Sequence, residues 1–121
     1  MTAEMADSST HAEFPASPIA GNELLVPIPS WAEMYRETQS TQVEFDLFWY
    51  DRVYEGVAYF FRWLGEPRCT VLVVWEDTEP THIECRKVGD KLASETEAAP
   101  IAAEVRVLFA GGRFLQRERT H

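Results

Sequence analysis

The sequence predicts an α+β domain built on an antiparallel meander, and three observations predict it. Apolar and polar residues alternate with period two over 43–50, 57–64 and 69–76, which marks strands with unlike faces. The links between them, DRVYEG and GEPR, are short and hold turn formers, so neighbours should pair antiparallel. Helical patterns flank the strands at 31–38 and 100–110. Because the strands are short and strongly apolar, a small half-open barrel of SH3-like form is the alternative architecture.

Taken in order, residues 1–21 are rich in Ala, Ser, Thr and Pro, and only Met1, Met5, Phe14 and Ile19 are bulky and apolar. Such a segment buries too little to repay its ordering entropy, so a flexible tail is expected, with 22–121 as one domain. LLVPIP, residues 24–29, reads as an extended piece whose two prolines keep it out of the centre of a sheet. Ser30-Trp31-Ala32-Glu33 has the form of a capping box, and Trp31, Met34 and Tyr35 share a face of the helix it would start.

In the first strand, Val43, Phe45, Leu47 and Trp49 alternate with Glu44, Asp46, Phe48 and Tyr50. In the second, Val57, Tyr59, Phe61 and Trp63 form the apolar side, and in the third, Cys69, Val71, Val73 and Trp75. A fourth strand at 81–88 carries His82, Glu84 and Arg86 and suits an edge, where charge discourages stray pairing. PIAAEVRVLFAGGRF fits a helix from Pro100, with Gly111 as its stop, and also fits a hairpin turning at Gly111-Gly112. Ala102 and Ala103 favour the helix, whereas Val105 and Val107 favour the hairpin.

Composition bounds the partners. The net charge of −9 is uneven: residues 1–104 hold 7 basic and 19 acidic side chains, and residues 105–121 hold four arginines against one glutamate. An acidic body repels phosphates and attracts basic partners, so direct nucleic-acid binding is not expected. The arginines at 106, 113, 117 and 119 are the one basic group. No run approaches the ~18 apolar residues of a membrane span, and no signal peptide is visible, so the expected setting is the cytoplasm. Cys69 and Cys85 sit among apolar and β-branched neighbours, which suits buried free thiols.

Motifs of catalysis are not found. The sequence has neither a glycine-rich phosphate loop nor a Gly-x-Ser-x-Gly elbow. His82 and Cys85 have H-x-x-C spacing, but on a strand they point to opposite faces, so neither a metal nor another cofactor is expected. Asp51, Arg52, Tyr54 and Glu55 could form a small active or ligand site in the 51–56 loop, or equally a polar turn neutralised by its arginine.

The stretch 45–63 holds nine of the fifteen aromatic residues. One side of the predicted sheet is plainly core. The other offers Phe48, Tyr50, Phe60, Leu64, Leu72 and Val74 among Glu44, Asp46 and Arg62, which is more apolar than a solvated face should be. The functional expectation is a non-catalytic protein-binding module, an acidic inhibitor or immunity-type protein that neutralises a basic partner. Phe48, Tyr50 and Phe60 would be its anchors and Glu44, Asp46, Asp51 and Glu55 its steering charges, with Arg62 beside them. A homodimer or assembly subunit burying the same face is the alternative.

Overall fold

A computed structural model describes residues 13–111. It contains strand β1 (Leu25–Pro27), helices α1 (Trp31–Thr41) and α2 (Leu47–Tyr54), strands β2 (Ala58–Trp63), β3 (Cys69–Glu76), β4 (Glu79–Lys87) and β5 (Lys91–Leu92), and helix α3 (Glu95–Gly111). The fold is α+β. The strands form one open antiparallel sheet in the order β1-β2-β3-β4-β5, not closed into a barrel. Residues 1–12 of the expected tail, and Arg113, Arg117 and Arg119, lie outside the described residues.

The meander from β2 to β4 follows the alternation in the sequence. Phe60 pairs with Leu72 and Leu72 with Glu84, so these side chains share the front face; Phe61, Val71 and Cys85 share the back. Both faces of the centre are dry: Phe60, Phe61, Val71, Leu72 and Val73 are fully buried. Burying each such side chain stabilises the fold by ~1.5–3 kcal/mol. Cys69 and Cys85 are buried free thiols on the back face, and burial first, then Cys69 and Glu84, pushes the Cys85 thiol up to about 12.

The expected first strand is corrected. Residues 43–46 are extended, but Leu47–Tyr54 is helical, because the Asp46 side chain accepts the backbone N–H of Phe48 (3.0 Å) and caps a helix. Tyr50 and Val53, three apart, are its buried stripe. The DRVYEG segment is therefore the end of α2 rather than a hairpin turn, and Gly56 at φ 82 stops the helix in a conformation that favours glycine.

Two further boundaries shift. The C-terminal helix begins at Glu95, not at Pro100, because Ser94 and Glu97 form a reciprocal capping box: Glu97 N–H donates to Ser94 Oγ (3.1 Å) and Ser94 N–H to Glu97 Oε1 (2.9 Å). Up to Gly111 the hairpin alternative is replaced by helix. At the other end, Phe14, Pro18 and Ile19 are buried, and the Phe14 ring meets Tyr54, Tyr59 and Phe60 at 5.7–6.2 Å. The segment expected as tail thus packs on the domain from residue 13 onward.

Candidate functional site

Two layers cover the sheet. Helix α3 lies on the back, where Ile101, Val105 and Phe109 are buried, Phe109 meets Trp75 at 5.7 Å and Lys87 pairs with Glu97 at 3.1 Å. Helices α1 and α2 lie on the front. The surplus apolar side of the strands is therefore sealed over Phe60 and Leu72, with Phe14, Phe45 and Tyr50 packed against Phe60, and not by the C-terminal helix; Leu64 beyond it stays half exposed.

Helix α1 is fastened by a buried charge. Glu37, 1% exposed, accepts from Arg62 Nε (2.9 Å) and Arg68 (2.6 Å) on one carboxylate oxygen and from the Thr70 hydroxyl on the other. Arg62 also reaches the Glu33 carboxylate (2.9 Å) and carbonyl (3.0 Å). Burial alone would push the Glu37 carboxyl up; Arg68, Thr70 and Arg62 outweigh it and hold it below its ordinary value. A buried carboxylate needs such partners to persist as an ion.

From this anchored helix the chain turns at Gln42, in the left-handed region, and runs extended to Asp46. Alternation then sends Val43 and Phe45 inward and Glu44 and Asp46 outward. The cap at Asp46 starts α2, which turns Tyr50 in and leaves Leu47 at 68% and Phe48 at 50% exposure. Between α1, this segment and the β4–β5 hairpin lies a cleft of about 860 Å³. Its apolar lining includes Trp31, Tyr35, Phe45, Leu47 and Tyr50; Glu44, Asp46, Asp90 and Arg86 supply its charge, three carboxylates against one guanidinium. The hairpin is held to α1 by the Gly89 N–H donating to the Thr41 carbonyl at 2.7 Å.

The aromatic wall is pre-organised. Trp31 and Tyr50 stack at 4.3 Å and 11°, while Tyr35 stands 65% exposed beside them. Burial, with the Glu44 carboxylate adding to it, pushes the Tyr50 hydroxyl up to about 12, so it stays a neutral hydrogen-bonding group. Arg86 lies 5.4 Å from the Phe45 ring centre, bonds Glu84 through Nε (2.7 Å) and reaches Asp90 at 3.2 Å.

The residues singled out in the sequence separate into three places. Glu44, Asp46 and Tyr50 line the cleft. Phe48 and Asp51 are exposed on α2 and Glu55 is exposed at its C-cap, with Arg52 4.5 Å from the Phe48 ring centre and 2.7 Å from Glu55. Phe60 and Arg62 lie beneath α1 and α2, which corrects their expected place on an open face: Phe60 is fully buried and Arg62 serves Glu37. Asp51, Arg52 and Glu55 form a polar helix end. His82 and Cys85 do fall on opposite faces, and His82 stacks on Trp49 at 6.1 Å. Among the described residues no group of three or more His, Cys, Asp or Glu is placed to hold a metal ion.

Sequence reading missed Trp31, Tyr35, Leu47, Arg86 and Asp90 as members of one site. Trp31 and Tyr35, at i, i+4 spacing on α1, were legible as a stripe, but the stripe faces the cleft and not the core. Fold and cleft together define an α+β domain with an acid-rimmed aromatic cleft. In comparison with known proteins, no family model, curated protein or solved structure matches the chain. Among the described residues, no helix is long and apolar enough to cross a membrane.

Proposed function

We propose that this protein is a non-catalytic protein-binding module that captures a basic partner, in the manner of a small acidic inhibitor, through the cleft between α1 and α2. The observation that carries the reading is the pairing of solvent-facing Tyr35 and Leu47 with the Glu44 and Asp46 carboxylates around one concavity. Apolar anchors inside a charged rim suit a partner that buries aliphatic or aromatic side chains and brings its own cations. The excess negative charge of the chain adds long-range attraction and speeds encounter. Phe48, Asp51 and Glu55 extend the surface along α2.

The test is capture from a native lysate by the wild-type chain and by a Glu44→Lys, Asp46→Asn double variant. The asparagine keeps an oxygen to cap α2, so charge changes without loss of the helix start. The expected result is a basic protein retained by the wild type, released by moderate salt, and lost from the double variant. Capture of the same protein by both, at equal strength, removes the cleft from the binding surface.

A further inference from the structure

The cleft already holds a cation, and it belongs to the protein. Among the residues lining the cleft, Arg86 is the one with a positive charge. Its guanidinium lies over the Phe45 ring at 5.4 Å and reaches the Asp90 carboxylate at 3.2 Å, while Glu84 holds it from outside the cleft at 2.6 and 2.7 Å. An aromatic face with carboxylates around it is the environment that binds guanidinium groups, through cation–π attraction and charge-assisted hydrogen bonds.

We propose that Arg86 is an internal stand-in for an arginine of the partner, and that the cleft recognises an arginine-bearing segment by exchanging Arg86 for it. This rests on the reading of the cleft as the docking face and names its ligand chemistry. Three features suit an arginine-bearing ligand, and the second of them lets Arg86 make way for it. Glu44 and Asp46 lie on the rim with no arginine or lysine paired to them in the described residues. The longer ion pair of Arg86 is the one to Asp90, inside the cleft, and the shorter is to Glu84, outside it, so it can let go of Asp90 and keep a partner. Tyr35 and Leu47 offer apolar contact for the residue next to the incoming arginine. The exchange is non-covalent and trades one guanidinium for another over Phe45, so charge in the cleft rises by the partner's remaining cations alone. Arg86 then sets selectivity: it weakens every cationic ligand by competition, and segments with one isolated cation most.

The probe is the synthetic peptide acetyl-Ala-Arg-Leu-Phe-Arg-Ala-amide, with a control in which citrulline replaces both arginines and keeps shape without charge. Calorimetric titration of the full chain is expected to give tighter binding of the arginine peptide than of the citrulline peptide. Arg86→Met, which keeps the length of the stem, is expected to tighten the arginine peptide by about 3- to 10-fold and to leave the citrulline peptide unchanged. A folded Met variant that binds the arginine peptide no better than wild type overturns the proposal. Should that variant not fold, the wild type still decides: on saturation with the arginine peptide the Arg86 guanidinium resonances are expected to shift and exchange faster, and unchanged resonances overturn the proposal. If Glu44→Lys, Asp46→Asn abolishes partner capture while Arg86→Met changes nothing, the exchange is wrong and the docking face stands. If the arginine and citrulline peptides bind alike and capture ignores Glu44 and Asp46, both fall.

Discussion

Helix α2 and strand β2 come from one aromatic run, yet they end in opposite environments. Strand β2 sits inside the sheet with a layer on each face, so five of its six residues are buried and Arg62 alone is not. Helix α2 lies on the surface of the front layer and buries Tyr50 and Val53, while Leu47 and Phe48 face outward. Composition does not separate the two segments; the number of covered sides does. A central strand is dry on both faces, whereas a surface helix of eight residues can bury one stripe. Apolar side chains left over on the helix are the ones available to a partner.

This contrast can be broken by mutation. Phe60→Ala should cost about 3–5 kcal/mol of unfolding free energy in chemical denaturation, the range for emptying a packed aromatic site. Leu47→Ala should cost under about 0.5 kcal/mol, since the side chain is mostly exposed. Equal losses at the two positions would end the distinction between a sealed strand and an open helix.

The next largest effect belongs to the anchor of α1. Glu37→Ala should destabilise by about 3 kcal/mol, because it removes one carboxylate shared by two arginines and a threonine and leaves their donors without it. A loss below about 1 kcal/mol would show that α1, and with it one wall of the cleft, is held by apolar packing alone.

A smaller and sharper effect follows from pH. The folded Glu37 carboxyl titrates below its ordinary 4.5, so the unfolded chain takes up its proton first on acidification. Its stabilisation is complete above about pH 4.5 and declines as pH falls through the depressed folded value. The difference in unfolding free energy between wild type and Glu37→Gln should therefore shrink steadily below pH 4.5. A difference that is constant with pH would mean that the charge of Glu37 contributes nothing.

Much of the fold was legible. The strands at 58–63 and 69–76 lie within one residue of the expected bounds, because period-two alternation there meets short turns on both sides. Ser30 caps α1 as its motif implies, accepting Glu33 N–H at 3.2 Å, although the Glu33 carboxylate is drawn to Arg36 and Arg62 instead. Segment 43–50 misled because its alternation is real from Val43 to Asp46 and then gives way to a helix whose period a short apolar run cannot declare. Asp46, followed by Leu47, Tyr50 and Val53 at threefold spacing, was the available signal. Likewise Ser94-Glu95-Thr96-Glu97 announced the start of α3 five residues before Pro100. The wall of the cleft at 44–50 was legible as local charge and aromaticity, and Trp31 and Tyr35 as a helix stripe; Arg86 and Asp90 arrive through the β4–β5 hairpin, and no local pattern joins them to α1.

The most direct test of the account is chemical-shift mapping of the full chain titrated with acetyl-Ala-Arg-Leu-Phe-Arg-Ala-amide. The account predicts that the largest changes fall on the Trp31 indole N–H and on Tyr35, Leu47, Tyr50 and Arg86, with α3 unmoved. Changes concentrated on α3 or on β1, with those five residues silent, would contradict it.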